Sequence, residues 1–163
     1  MKILSMKTTI FLGAMLSLLV CLMFTGCSNS ETNSTSRGLT DFAHIEEDYL
    51  ATIDSLNWPD GITLPDKLED EDTGASFQVG YGETRASYLW EYSWMKEWLD
   101  TYNTDPERAE KALEELEKAF DMPYMGIDRC DDATRNYLRE NIDKAKLGDP
   151  SGFTESIRAN YAN

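Results

Sequence analysis

The hydrophobic positions beyond residue 38 recur mainly at spacings of three and four, which is the pattern of amphipathic helices. The first such segment runs from Asp41 to Leu56, with Thr40 or Asp41 placed to cap its N-terminus. The turn-forming residues 58–61 then end it. Its predicted buried face consists of Phe42, Ile45, Tyr49, Ile53 and Leu56.

Residues 57–83 break the helical pattern. They contain prolines, glycines and an acidic run, and Phe77, Val79 and Tyr81 then alternate with polar or small residues. Alternation is typical of a strand, but no other segment offers a convincing partner. A lone strand would leave its backbone groups without hydrogen bonds. We therefore interpret residues 77–81 as an extended lead-in, with Gly80 and Gly82 serving as a hinge or for close packing.

The segment from Thr84 to Tyr102 carries two apolar stripes. Trp90, Trp94 and Trp98 repeat every four residues, and a second stripe lies beside them. Together the stripes cover roughly 200° of the circumference, counting about 100° per residue. A helix with so wide an apolar arc is predicted to be central in a bundle. The second stripe consists of Tyr88, Tyr92, Met95, Leu99 and Tyr102.

Three further helices are predicted. Residues 104–107 fit a capping box for a helix that extends to about Phe120. Another begins at Asp131 or Asp132 and ends at Gly148, and residues 149–150 open a last short helix. The predicted inward positions of these last two helices are Ala133, Tyr137, Leu138, Ile142, Ala145, Phe153, Ile157 and Tyr161.

The predicted fold class is therefore all-α. Four to five helices form an irregular bundle, with a proline- and glycine-containing extended segment between the first two. Residues 39–163 form one acidic helical domain, since about 125 residues support one hydrophobic core rather than two.

The N-terminus has a different character. Lys2 and Lys7 precede a fifteen-residue apolar run, residues 10–24, which is too short for a comfortable membrane span of about 20 residues. Gly26 and Cys27 follow it, and a polar tract comes next. This order resembles the signal peptide and lipobox of bacterial lipoproteins. The resemblance implies cleavage of residues 1–26 and attachment of diacylglycerol, with palmitate-type chains, to the Cys27 thiol.

The same resemblance implies the location of the chain. It is expected to be lipid-anchored at the extracytoplasmic face of the cell membrane, or at the outer membrane of a host with two membranes. Residues 27–38 comprise the lipidated cysteine and a Ser-, Thr- and Asn-rich tract that is predicted to be a disordered tether. Two acyl chains suffice for stable attachment to a bilayer without a transmembrane helix.

Charge narrows the set of partners. The chain has a net charge of −15, and loss of residues 1–26, with two lysines and no acidic residue, makes it −17. Such a chain lacks the basic surface that binds nucleic acid, and its expected partners are cationic. After processing, only Cys130 remains as a free thiol, which we interpret as a small buried hydrophobe.

The tryptophan stripe is the strongest candidate for a binding site in the folded part of the chain. Trp90, Trp94 and Trp98 are interpreted chiefly as core residues, because each buries a large area. A groove beside this helix, closed by the 57–83 segment, is the preferred binding site, and its candidate residues are these three indoles and Tyr81. A pocket there with an inward carboxylate would favour ligand binding, and a flat exposed apolar patch would favour protein binding.

Other short motifs give little indication of function, because each lacks the companion residues of the site it matches. The acidic run 69–72 lacks the ligand order of a calcium loop, and residues 72–74 match an aspartic-protease triplet without a second copy. Ser93 and Lys96 form an S-x-x-K match without its companion motifs. His44 is the single histidine, so a structural zinc site is not expected. No catalytic constellation, metal site or cofactor is predicted.

Two functions remain from the sequence. The first is a non-catalytic interaction module for an unidentified envelope protein. The alternative is a small-ligand-binding lipoprotein that takes a sugar, a cation or a peptide in the groove beside the tryptophan-rich helix.

Overall fold

The computed structural model describes residues 38–69 and 71–161. The predicted signal peptide, Cys27 and the tether as far as residue 37 lie outside the described residues. Within these limits the protein is mostly helical, with a single two-stranded sheet, so the all-α prediction is confirmed. The helices are α1 (Phe42–Ser55), α2 (Tyr81–Thr101), α3 (Pro106–Glu117), α4 (Asp132–Lys146) and α5 (Ser151–Asn160).

The helix ends follow local chemistry. Asp41 caps α1 by accepting a hydrogen bond from the backbone N–H of His44 at 3.1 Å. Asp105, rather than Thr104 of the predicted box, caps α3 in the same way. Helix α3 is shorter than predicted, because 3-10 helices at Lys118–Asp121 and Pro123–Met125 follow it. Gly148 ends α4 with a φ of 79°, as a glycine after a helix terminus commonly does.

The prediction that residues 77–81 have no strand partner is wrong. Strand β1 (Leu39–Thr40) pairs antiparallel with β2 (Phe77–Gln78), and Leu39 lies opposite Gln78. The partner is two residues long and precedes α1 directly, so it has no alternation that a pattern could reveal. Helix α2 also begins earlier than predicted, at Tyr81, immediately after β2.

Helix α2 is central, as the width of its apolar arc predicts. It contacts α1, α3 and α5, and the buried side chains form two clusters on its different sides. The cluster toward α1 contains Ile45, Tyr49, Ile53, Leu68 and Ala86. The larger cluster joins α2 to α3, α4, α5 and the 3-10 helices, and contains the three tryptophans with Met95, Leu116, Tyr124, Leu138, Ile142 and Phe153.

Close approach of α1 and α2 requires a glycine. A methyl group at Gly82 would collide with the backbone carbonyl oxygen of Ile45, which no side-chain movement could relieve. Gly80 is in the left-handed region, with a φ of 84°, where the chain turns from β2 into α2. Close packing, rather than hinge motion, is therefore the role that the structure assigns to Gly82.

Candidate functional site

The three predicted binding tryptophans are core residues. Trp90 and Trp94 are each 1% exposed, and Trp98 is 2% exposed. The indole N–H groups of Trp90 and Trp94 both donate to the carbonyl of Asn57, at 2.8 and 3.1 Å. The interpretation of the stripe as core is confirmed. These indoles have no free face on which a ligand could stack, so their positions do not support a direct binding role.

Tyr81, the fourth candidate, lies apart from the tryptophans. It is half-buried, and its hydroxyl donates to Glu71 Oε1 at 2.6 Å. The same oxygen lies 3.4 Å from Nε of Arg85. Tyr81 and Arg85 therefore connect the acidic segment to the first turns of α2 through Glu71. The Glu71 side chain is only 14% exposed and lies against the helix.

A cavity of about 320 Å³ lies beside α2, on a side that the sequence analysis did not single out. Helix α2 contributes Arg85, Tyr88 and Glu91, helix α4 contributes Tyr137, and the chain just after α5 contributes Tyr161. Its volume is within the range of small-molecule sites. The predicted groove beside α2 thus has a counterpart, but tyrosines line it instead of tryptophans.

Together with Ser156, Glu91 is one of two buried polar residues in the described lining of this cavity. Its side chain is on the wall, and the residue is only 7% exposed. Oε2 accepts a hydrogen bond from the hydroxyl of Tyr124 at 2.8 Å. Among the described residues, no hydrogen-bond donor reaches Oε1, and no Lys, Arg or His nitrogen lies within 4 Å of the carboxylate. The carboxyl group therefore has one satisfied oxygen and one without a protein partner.

Burial dominates the electrostatics of this group. Burial raises the pKa of Glu91 to about 7, against a lowering by the Tyr124 hydrogen bond. Burial, together with the negative charge of Glu91, also raises the pKa of the Tyr124 hydroxyl far above its ordinary value. Tyr124 thus remains a hydrogen-bond donor at neutral pH, while Glu91 changes its charge near neutrality. Perturbed acids in cavities are common at binding and catalytic sites.

The tyrosines around Glu91 form a connected aromatic wall. The rings of Tyr88 and Tyr124 meet edge to face, with centroids 5.7 Å apart. The hydroxyl of Tyr161 donates to the backbone carbonyl of Tyr88 at 3.3 Å. Tyr88 and Tyr137 are 41% and 40% exposed, which is high for residues that helical spacing predicts to be core. The predicted inward orientation of Tyr137, and of Ala133 near it, is wrong because α4 turns these positions toward the cavity mouth and solvent.

A second, shallower cavity of about 230 Å³ adjoins the first. Arg85, Tyr88 and Tyr161 line both cavities, so the two form one groove along α2. The far part is closed by residues 65–69, which belong to the irregular segment that the sequence analysis expected to cover a groove. There Nζ of Lys67 lies 3.0 Å from Oε1 of Glu69, so these two opposite charges compensate each other.

The catalytic-looking motifs are structural in this fold. Ser93 Oγ is buried and donates to the carbonyl of Leu89 at 2.7 Å, while Lys96 is exposed and paired with Asp100 at 2.6 Å. Asp72 Oδ1 accepts from the backbone N–H of Gly74 at 2.9 Å, which makes a local turn. These contacts bring no nucleophile and base together.

His44 and Cys130 are also accounted for by local packing. His44 is on the surface, and its side chain hydrogen-bonds to Asp41, which raises the pKa of the imidazole. Cys130 is half-buried rather than fully buried, with Sγ 3.6 Å from the sulfur of Met125. Cys130 packs against the core as the interpretation expected, but it is only partly buried because it lies in the loop between the last 3-10 helix and α4. Burial raises the pKa of its thiol, so it is a poor nucleophile.

Comparison of this chain with protein-family models, curated proteins and solved structures finds no match. Within residues 38–69 and 71–161, no group of three His, Cys, Asp or Glu side chains is arranged to hold a metal ion. None of the helices in that part of the chain has the length and apolarity of a membrane span.

Glu91 and Tyr124 are the site residues that the sequence analysis missed. Glu91 stands between Trp90 and Tyr92, inside the apolar arc of α2, and this is the signal that could have found it. An acidic residue within an arc that is about to be buried must be paired, neutralised or kept for a ligand. Tyr124 lies in a 3-10 helix that no periodic pattern predicts.

Proposed function

We propose that this protein is a lipid-anchored extracytoplasmic binding protein whose helical domain holds a small ligand in the Glu91 cavity. The observation that supports the binding role is the carboxyl group of Glu91, buried at the wall of a cavity with one oxygen unpartnered. Oε1 remains accessible from the cavity, because Asn141 Nδ2 is the one fully buried side-chain nitrogen or oxygen without a partner in the described residues. A ligand that donates a hydrogen bond to Oε1, or that brings a positive charge beside it, would compensate a carboxyl group that is largely removed from water.

A cavity-filling variant tests the binding role. Thr134 is exposed at the cavity rim, so Thr134→Trp would place an indole in the space. The variant loses the side-chain hydrogen bonds of Thr134 with Asp131 and Cys130, but its backbone N–H can still donate to Asp131 Oδ1, at 2.8 Å in the wild type. Glu140→Trp, at an exposed position of α4 outside the cavity lining, is the matched control. A fragment library of neutral, anionic and cationic compounds should contain binders that raise the melting temperature of the wild type and the control, but not of Thr134→Trp.

The opposite result would set the binding role aside. If no fragment stabilises the wild type, or if every stabilising fragment acts equally on Thr134→Trp, the cavity is not a ligand site. All three proteins should be tested as the full chain, purified in a non-ionic detergent, so that the domain keeps its natural N-terminal attachment.

The anchor is supported by the sequence around Cys27 and needs its own test. Cells grown with radiolabelled palmitate should incorporate label into the wild type and not into Cys27→Ser. The variant should also keep residues 1–26, because the resemblance implies cleavage directly before a lipidated cysteine, which the variant lacks. A labelled or normally processed Cys27→Ser protein would exclude lipidation at this residue.

The second candidate function is the non-catalytic interaction module. Its support is the acidic composition together with two strongly exposed apolar side chains near the ends of α4, Ile127 and Leu147, which are 84% and 88% exposed. Affinity capture with the membrane-attached chain should enrich an envelope protein, and Ile127→Asp or Leu147→Asp should reduce the recovery. Equal recovery with both variants would argue against these residues as the contact.

A further inference from the structure

The two charged side chains that line the cavity do not compensate each other. Glu91 is the only acidic residue that lines it among the described residues, and Arg85 is the only basic one. Arg85 is 44% exposed in its side chain and already pairs with Glu71. It therefore lies toward solvent, and it does not compensate the carboxylate of Glu91.

The walls suit a cation better than an anion or a neutral molecule. Tyr88, Tyr137 and Tyr161 line the cavity, and tyrosine rings attract cations over their faces. An anion would be repelled by ionised Glu91, and a neutral ligand would leave its charge uncompensated in a place poorly accessible to water. A cation would satisfy both the carboxylate and the rings. The strongly acidic chain would also raise the local concentration of cations.

We infer that the cavity binds an organic ammonium ion, with the Glu91 carboxylate as its counter-ion and the rings of Tyr88, Tyr137 and Tyr161 as its walls. This inference rests on the proposed ligand-binding function and names its ligand class. An alkylammonium group fits this site better than a metal cation, since Glu91 is the only carboxylate that the described part of the chain contributes to the lining. Metal ions such as Ca²⁺ require several oxygen ligands.

Binding of this kind is linked to a proton. With its pKa near 7, Glu91 is about half protonated at neutral pH in the free protein. A bound cation favours the ionised form, so binding releases the remaining proton to the buffer. The affinity should therefore rise about tenfold between pH 6 and pH 8.

The other groups facing Glu91 do not interfere with this signal. Tyr124 comes from the second 3-10 helix, Tyr88 from α2 itself, Tyr161 from the chain after α5, and Cys130 from the loop before α4. The pKa of each of these four groups is raised above its ordinary alkaline value, chiefly by burial, so all stay protonated below pH 8. Tyr137 on α4 and Arg85 on α2 are the other ionisable groups that line the cavity within residues 38–69 and 71–161.

Isothermal titration calorimetry with choline chloride and with tetramethylammonium chloride tests the inference. The full chain is titrated at pH 7 in two buffers that differ in ionisation enthalpy, in a detergent without an ammonium headgroup. We expect saturable binding with release of about half a proton. Glu91→Gln should weaken binding by at least about tenfold and abolish the proton release.

Glu115→Gln is the matched control. Glu115 is also 7% exposed, but it lies on α3, outside the cavity lining, and pairs with Lys118 at 2.7 Å. Its variant should bind choline as the wild type does. The inference is overturned if choline and tetramethylammonium do not bind, or if they bind Glu91→Gln with unchanged affinity and proton release. A neutral fragment that binds the wild type but not Thr134→Trp would, in that case, leave the proposed binding function standing.

Discussion

Replacing Glu91 by glutamine changes one ionisable group in the interior and little else. The two side chains have the same shape, and the glutamine carbonyl can still accept the hydrogen bond from Tyr124. The substitution therefore separates the electrostatic consequence of a buried carboxyl group from its packing. We expect Glu91→Gln to be more stable than the wild type at alkaline pH, with a much smaller difference at pH 5.

The magnitude follows from the pKa in the two states. Glu91 has an ordinary pKa of 4.5 when unfolded and about 7 in the folded protein. Between these pH values the unfolded chain has lost the proton that the folded protein retains, so the free energy of unfolding falls as the pH rises. Above pH 7 the loss reaches about 3 kcal/mol, at roughly 1.36 kcal/mol per pH unit. Glu91→Gln should recover up to that amount at pH 8.

Urea unfolding followed by tryptophan fluorescence measures this effect, because the buried indoles report directly on the core. The hydrogen bond to Asp41 raises the pKa of His44, so His44 also contributes stability that is lost as the pH rises. This contribution is common to both proteins and cancels in their difference. The pKa values of Asp131 and Asp149 are lowered from 3.8, so the stability that these carboxylates contribute is lost only when the pH falls below the range of this measurement. Parallel stability profiles for wild type and Glu91→Gln from pH 5 to pH 8 would refute the reasoning.

Three further predictions concern the fold. Trp94→Ala should lower the free energy of unfolding by about 3–5 kcal/mol, and an unchanged value in urea unfolding would contradict its place in the core. Gly82→Ala should unfold the protein or lower its melting temperature strongly, because the added methyl group collides with the Ile45 carbonyl. Gly38→Ala is the control, since its added methyl group makes only ordinary van der Waals contact and should leave the melting temperature unchanged. Equal melting temperatures for the two variants would show that α1 can move away from α2. Asp105→Ala should cost about 1 kcal/mol by removing the cap of α3, and a change of less than a few tenths in urea unfolding would show that the cap is replaceable.

Periodicity predicted the helices well because burial and helical spacing select the same residues. Ile45, Tyr49 and Ile53 recur every four residues along α1, and all three are buried. The same reasoning failed for Tyr137, whose spacing matches that of its buried neighbours on α4 although it faces the cavity mouth. A stripe identifies the side of a helix, but the edge of that side is decided by neighbours that the pattern does not contain.

The site was less predictable than the fold. A sequence pattern predicts that a carboxylate in a helix lies on the surface. The burial of Glu91 against Tyr124 follows only from the three-dimensional arrangement. These two residues are 33 apart in the chain and belong to elements with unrelated patterns. The pairing of Leu39–Thr40 with Phe77–Gln78 could not be predicted either, because two residues are too few to show a period.

The short pairing of β1 with β2 has a mechanical consequence. Leu39 and Thr40 are held by a two-residue ladder, extended by the hydrogen bond from Val79 N–H to the Gly38 carbonyl at 3.0 Å. A force that pulls on the chain before Gly38 would load these few bonds before it reached α1, whose inner face is buried in the core. Their release would lengthen the connection by about 10 Å, at roughly 3.4 Å per residue. The domain thus has an extensible junction that yields under tension while the helices remain packed.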